Sequence, residues 1–475
     1  MSELKRQTFK SIGFQVLLLL YWLIIQLSLL SYGANDPSTV AFGTIGIFVL
    51  LPILLCVKKP RNNTQGPVTI CLILLIVTMG WMGLTASFPE LGTQRASLET
   101  IYLHNFQLAP HSELFHSNDV SAFLKVAFPL GVFILSTLFF DNDQSAVRAL
   151  RAHAILGGLS AIFAIAQFVW TPDIVIVTKK IAYTDSLTGF FVNRNTAATF
   201  LGISAIVLLF LSWGIRAFSE RGAFQHAEPS LRAPHAERKF WHVIYVALLI
   251  ASFTALMLTK SRAGVASAAV GLLYLTVVLV YRRVHDRHIT KPTHFWQSRF
   301  LKIALGVVTV LLVFPYIGER LILRSATIAV EADTRFCITP ALIQAAVDHL
   351  PLGVGLGGFE TAFMQHRDPN CGVLGVIDKA HNFYLEGLIT MGLVFPVMWL
   401  GVVVYLCTAF WRCIVKRRRF RHVGTLGFAL LITVILHSAF DFSLQVPGFS
   451  IFFAAILAPV LTICNNNERC GVEAA

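Results

Sequence analysis

The sequence predicts an all-α protein: a polytopic transmembrane helical bundle of about twelve spans, with one long loop between spans nine and ten. Three observations predict it. Of 475 residues, 56% are hydrophobic and only 13% are charged, against about 25% charged in an ordinary globular chain. That is too little charge to coat the several soluble domains such a length would otherwise hold. The apolar residues fall in continuous runs of about 17 or more, which is membrane-span length. Continuous runs suit helices, whose backbone hydrogen bonds are internal, and not the alternating strands of an outer-membrane barrel. Finally, the basic residues segregate between alternate loops. A soluble enzyme, a disordered regulator, a secreted disulfide scaffold and a fibrous repeat are thereby excluded.

Taken in order, the spans read as 12–32, 39–57, 67–87, 120–140, 153–170, 196–214, 242–259, 263–281, 300–317, 383–411, 424–441 and 448–464. The first run is too long for a cleavable signal peptide, and no A-x-A pattern follows it. Span ten is long enough to tilt or protrude. With the N-terminus inside, 26 of the 38 Lys and Arg residues fall in cytoplasmic segments, including the Lys416–Arg419 run. The positive-inside rule therefore puts both termini in the cytoplasm. The net charge of +13 reflects that rule and the anionic inner leaflet, not a nucleic-acid partner. The remaining twelve basic residues, among them Lys125, Lys180, Arg194, Lys260, Arg262, Arg335 and Lys379, lie at the outer face against the trend. Something on that side favours positive charge.

Three outer segments are long: 88–119, 171–195 and 318–382. In the last, Thr339-Pro340 reads as an N-cap and a first-turn proline. Leu342, Ile343, Ala346, Val347 and Leu350 follow at helical spacing, and Pro351 ends the helix. Of eight cysteines, only Cys337 and Cys371 lie outside, both in this loop. An oxidising compartment favours a bond between them, and the alternative is two free thiols at the lipid interface. No spacing of Cys and His suggests zinc.

The motifs that carry chemistry lie at the outer face. Gly353, Gly355 and Gly358, within Pro351–Phe359, spell G-x-G-x-x-G, but no strand precedes them and no βαβ unit surrounds them, so a dinucleotide site is rejected. Two readings remain: a tight turn needing positive φ, or a backbone N–H concavity for an anion, with Gly355 and Gly357 supporting it. Arg262 sits in Thr259-Lys-Ser-Arg-Ala-Gly264, a hairpin so short that the arginine must lie at the membrane edge, either snorkelling or paired. Arg194 lies between Asn193 and Asn195 at the start of span six, as a helix-cap neighbour or a second cation for one anion. An arginine fork matches phosphate oxygens better than a lysine point charge. His381-Asn382 opens span ten; the histidine is a cap residue or a proton acceptor. Asp441 lies at the outer end of span eleven, as a turn former or as the partner that orients His381 or an arginine. Arg194, Arg262, His381 and Asp441 come from four regions, yet topology gives them one bilayer depth.

In order, Phe191–Asn195, Thr259–Gly264, Pro351–Phe359, His381-Asn382…Gly392 and His437…Asp441–Pro447 resemble the O-antigen ligase and polysaccharide polymerase superfamily of bacterial inner membranes. The resemblance divides the chain into generic spans at 1–185, a ligase-like region at 186–464 holding the periplasmic loop 318–382, and a cytoplasmic tail at 465–475. It implies a glycosyltransferase moving a glycan from an undecaprenyl-diphosphate carrier to an acceptor hydroxyl at the periplasmic face, without metal or other cofactor. It implies that Arg194 and Arg262 hold the donor diphosphate and that His381 activates the acceptor. The acceptor is lipid A–core in a ligase or a second lipid-linked glycan in a polymerase. Asp333-Thr-Arg335 leans toward the polymerase-like members, with Arg335 in a supporting role. The residues point the same way independently, since a departing lipid diphosphate needs cations on its oxygens. A lipid-linked sugar transporter is the rival, but matching halves and paired broken helices are not evident.

Overall fold

A computed structural model describes residues 3–87, 117–180, 182–220, 235–285, 327–368, 371, 377–417 and 419–466. Fourteen α-helices make up nearly all of their regular structure: α1 (Glu3–Leu30), α2 (Pro37–Val57), α3 (Asn62–Ser87), α4 (Ser117–Phe139), α5 (Asp143–Trp170), α6 (Arg194–Glu220), α7 (His235–Leu258), α8 (Arg262–His285), α9 (Thr327–Asp348), α10 (Phe359–His366), α11 (Phe383–Met391), α12 (Val394–Lys416), α13 (Arg421–Ser438) and α14 (Pro447–Asn465). The one sheet among the described residues is a small hairpin, Ile174–Val175 against Thr178–Lys179. Among the described residues, eleven helices are long and apolar enough to cross a membrane. The span expected at 300–317 lies outside the described residues, as do the first residues of the long loop.

The bundle is built around α14 and α6. Their membrane-length stretches are 94% and 89% buried, whereas that of α12 is 17% buried. Peripheral helices instead expose apolar side chains, such as Leu27, Phe42, Ile76, Val397 and Leu400, as a surface solvated by lipid tails should. Small residues let the inner helices approach closely. At Gly271 of α8, a Cβ would meet the Ala429 carbonyl oxygen of α13 at 2.9 Å. One apolar core runs from Leu17 to Cys464, and a second, smaller one joins Ile338, Leu342, Ala345, Val354, Phe363 and Ile389 of the long loop and α11. Polar staples close the end of the bundle away from the site. There Lys58 pairs with Asp141 at 3.0 Å and Arg417 pairs with Asp143.

Two elements differ from the sequence reading. The long helix expected over 383–411 is broken into α11 and α12. Pro396 has no N–H to return to the Gly392 carbonyl, and Gly392 takes φ +55°. Pro351 and Leu352 of the glycine loop fill the break: a Cβ on Gly392 would lie 2.0 Å from the Pro351 oxygen, and Leu393 N–H donates to that oxygen at 2.8 Å. The helix read from Pro340 begins earlier, since α9 runs from Thr327 with Pro340 inside it. Proline costs a helix one hydrogen bond, and here Ile338, Leu342 and Ala345 hold the turns around it in the second core. Leu342 and Ala346 of the expected stripe are buried, while Ile343, Val347 and Leu350 face outward.

Candidate functional site

After α13 the chain turns through 439–446, and Pro447 restarts it as α14. Asp441 lies in this turn and is completely buried. Burial is tolerated because donors from the 193–195 segment and from its own turn meet its carboxylate. Asn195 Nδ2 donates to Oδ1 at 3.1 Å and Asn193 Nδ2 to the same oxygen at 3.4 Å, while Ser443 Oγ donates to Oδ2 at 2.8 Å. His381 Nδ1 lies 3.5 Å from Oδ1, at ion-pair distance but not aligned as a hydrogen bond. Burial pushes the Asp441 carboxyl up, but His381, His437 and Ser443 outweigh it and hold the group below the usual carboxylate range. Thr199 Oγ1 extends the network to Ser443 Oγ at 3.2 Å and His437 Nδ1 at 3.0 Å.

The amides reach Asp441 because of how α6 and α8 begin. Asn193 Oδ1 accepts from Asn195 N–H at 2.8 Å, which turns the chain into α6. Asn195 Oδ1 then accepts from Ser261 Oγ at 2.7 Å, and the same hydroxyl accepts from Gly264 N–H at 3.2 Å, capping α8. One hydrogen-bonded string thus runs from the 259–262 hairpin through Asn195 to Asp441. Asn382 has a similar double role. Its Oδ1 accepts from Tyr384 and Leu385 N–H at the start of α11, while its Nδ2 donates to the Ala439 carbonyl at 3.0 Å, beside the Asp441 turn.

His381 is fixed from both sides. Behind it, buried Glu386 accepts from Ala380 N–H at 2.9 Å and from Lys379 Nζ at 2.9 Å. Ahead of it is the Asn382 cap. The histidine itself has φ +51°, an uncommon conformation that surrounding structure must enforce, and its ring meets Phe442 edge-on at 4.9 Å between centroids. With Nδ1 turned to Asp441, Nε2 is the nitrogen left to face a reactant. The side chain is 31% exposed.

Arg194 opens α6. Its Nη1 donates to Ser186 Oγ at 3.4 Å, and its guanidinium carbon lies 5.0 Å from the centre of the Tyr183 ring. Two further cations meet the same corner. Lys180 Nζ donates to the Ser186 carbonyl at 3.0 Å, and Lys260 Nζ pairs with Asp185 at 3.0 Å. Burial lowers the Lys180 ammonium below the ordinary lysine range, against the pull of Asp173 and Asp185. Asp185 is held below the carboxylate range, because Lys260, Ser186 and Arg194 overcome the opposing effect of burial. Arg262, first residue of α8, is exposed on the same hairpin as Lys260 and Ser261.

The structure thus brings Asn193, His381, Asn382 and Asp441 together, with Arg194 adjoining in sequence and Arg262 next to Ser261. The glycine loop is engaged elsewhere. Gly355 N–H donates to the Thr390 carbonyl at 2.9 Å and Gly357 N–H to buried Asp119 at 2.8 Å, so both amides meet protein acceptors. Gly355 has φ +91°, and a Cβ on Gly357 would meet Asp119 N at 2.7 Å. The Arg335 side chain lies outside what is described. Cys337 and Cys371 are joined by a disulfide, with Cα atoms 5.7 Å apart. The one grouping of metal-ligand atoms among the described residues is this disulfide with Asp368, whose sulfurs are bonded to each other.

Sequence reasoning missed Asp185 and Ser186 altogether, and placed Lys180 and Lys260 at the outer face without joining them to the arginines. Excess basic charge was the only signal for them. No curated protein matches the chain. Residues 246–394 match the family model described as O-antigen ligase, a stretch that holds Arg262, the glycine loop, His381 and Asn382. This match places residues 246–394 of the polytopic chain in the O-antigen ligase superfamily.

Proposed function

We propose that the protein is a membrane glycosyltransferase that moves a glycan from an undecaprenyl-diphosphate-linked donor to an acceptor hydroxyl at the periplasmic face of the bacterial inner membrane. The observation that carries this reading is the Asp441 node, which gathers His381 from one segment and Asn193 and Asn195 from another, beside Arg194. In this mechanism Arg194 and Arg262 hold the donor diphosphate, whose charge grows as the anomeric C–O bond breaks. His381 Nε2 takes the proton of the acceptor hydroxyl as its oxygen attacks the anomeric carbon. Asp441 turns the imidazole through Nδ1 and stabilises the imidazolium that forms. The products are the glycosylated acceptor and undecaprenyl diphosphate. General-base catalysis of this kind supplies about 10²–10⁴ in rate. The lipid-facing walls of the bundle give the polyprenyl chain an apolar surface to lie against.

The test is a reconstitution of the purified full chain in liposomes with a lipid-linked glycan and either lipid A–core or a second lipid-linked glycan as acceptor. A new glycosidic linkage with release of undecaprenyl diphosphate is expected. Linkage to lipid A–core identifies a ligase, and chain extension on the lipid carrier identifies a polymerase. Movement of the donor across the bilayer with no new linkage to either acceptor would replace the enzyme by a transporter.

A further inference from the structure

Three cations from three parts of the chain converge on two consecutive residues, Asp185 and Ser186. Lys260, from the α7–α8 hairpin, pairs with Asp185 Oδ2 at 3.0 Å. Arg194, from the start of α6, donates to Ser186 Oγ at 3.4 Å, and that hydroxyl donates to Asp185 Oδ1 at 2.9 Å. Lys180, only 9% exposed, donates to the Ser186 carbonyl at 3.0 Å. Burial of this ammonium outweighs the pull of Asp173 and Asp185, so more negative charge beside it would be stabilising.

We propose that Lys180 and Lys260 are additional phosphate-binding residues, and that Asp185 is their resident counter-ion, displaced when a lipid-linked diphosphate enters. The proposal rests on the diphosphate-donor reading above and deepens it. Ionised Asp185 offers Oδ2 to Lys260 and Oδ1 to the Ser186 hydroxyl that Arg194 also meets, so its oxygens stand where phosphate oxygens would be gripped. It is also easily moved. The Asp185 side chain is 66% exposed and that of Lys260 45%, and a pair so exposed contributes little. A diphosphate diester carries two negative charges, so it answers Lys180, Lys260 and Arg194 better than one carboxylate does.

The backbone supplies an independent observation. Lys260 has φ +54° and Tyr183, under the Arg194 guanidinium, has φ +59°. Glycine or asparagine would fill either conformation with less strain. The hairpin is nevertheless well tied, with Lys260 N–H on the Met257 carbonyl at 3.2 Å and Ser261 N–H on Thr259 Oγ1 at 3.2 Å. A strained lysine in a tied turn holds its ammonium over the corner where Arg194 already sits.

The experiment titrates the full chain in nanodiscs with undecaprenyl diphosphate, alongside thermal unfolding of each variant without ligand. Lys260→Gly suits the local backbone and removes the ammonium. It should weaken binding about tenfold, the loss of one charge-assisted hydrogen bond, with unfolding unchanged. Lys180→Met should also weaken binding. Asp185→Asn should tighten it about threefold or more, because the competing carboxylate is gone. Lys260→Gly binding within about twofold of wild type, or Asp185→Asn binding no tighter than wild type, would overturn the proposal. If those results come with loss of binding in Arg194→Ala, only this inference fails. If the wild type does not bind undecaprenyl diphosphate, the donor reading fails with it.

Discussion

Asp441→Asn is the substitution that separates orientation of the base from simple packing. The residue is completely buried and holds donors from Asn193, Asn195 and Ser443. Alanine would leave those donors unmet, at about 1–3 kcal/mol each, so its effect would be one of folding. Asparagine keeps the shape and one acceptor oxygen for the two amides. It should cost about 1–2 kcal/mol of stability, the difference between charged and neutral hydrogen bonds. Its effect on turnover should be larger. At the observed 3.5 Å between Nδ1 and Oδ1, a unit charge pair in a dielectric of about 20 attracts by about 5 kcal/mol. His381 is 31% exposed, so screening reduces this to about 2–3 kcal/mol. Because the imidazolium forms only as the acceptor gives up its proton, that energy appears in kcat as a loss on the order of 10²-fold, with KM little changed. The assay is steady-state transfer in proteoliposomes, with unfolding followed on the same samples. A variant that keeps kcat within about threefold of wild type while its unfolding shifts would show that Asp441 is only a strut.

Other substitutions probe the remaining parts. Arg194→Ala and Arg262→Ala should each abolish transfer while the protein still inserts, and lysine at either position should restore it only in part because the fork is lost; wild-type rates in both alanine variants would remove the two-arginine clamp. Asp441 is held below the usual carboxylate range, so its contribution to stability is complete above about pH 4, the unfolded carboxylate value, and is lost as pH falls through the lower folded one. His381→Gln should lower turnover of bound donor by about 10²-fold or more while donor binding is kept; lost donor binding with unchanged turnover would make it a binding residue. Cys337→Ser opens a loop of 34 residues, at about 3–4 kcal/mol in the chain-entropy model; a mobility shift on reduction that persists in this variant would contradict the pairing. Gly392→Ala places a Cβ 2.0 Å from the Pro351 oxygen and should destabilise the α11–α12 break, read as a lower unfolding midpoint. Activity should survive chelators, and an absolute requirement for a divalent cation would overturn the cation-only account of the diphosphate.

The spans were legible because hydropathy is additive along the chain, and each of the eleven membrane-length helices overlaps an expected run, although α5 starts well before its own. The break after Met391 was not, because Pro396 in a first helical turn looks the same in sequence whether a helix starts there or merely passes. What decides is Pro351 packing into the gap from 40 residues away, and no local pattern carries that contact. The candidate site residues stood out for a different reason. Arg194, Arg262, His381 and Asn382 all sit at the outer ends of apolar runs, where polar residues are costly enough to stand out. Asp185 and Ser186 lie in a polar loop, where a carboxylate and a hydroxyl draw no attention.

Capping and chemistry looked like competing explanations for these residues, and the geometry unites them. Asn382 caps α11 through Oδ1 and ties the histidine segment to Ala439 through Nδ2. Ser261 caps α8 and, through the same hydroxyl, holds Asn195 in place to reach Asp441. A cap fixes a side chain within a few tenths of an ångström relative to a rigid helix. That is the positioning a proton-transfer site requires. In a bundle whose loops face water and whose interior is apolar, helix ends are the places where polar atoms can be both buried enough to be rigid and near enough to the surface to meet a substrate. A site assembled from the first turns of α6, α8 and α11 and from the turn after α13 follows from that constraint.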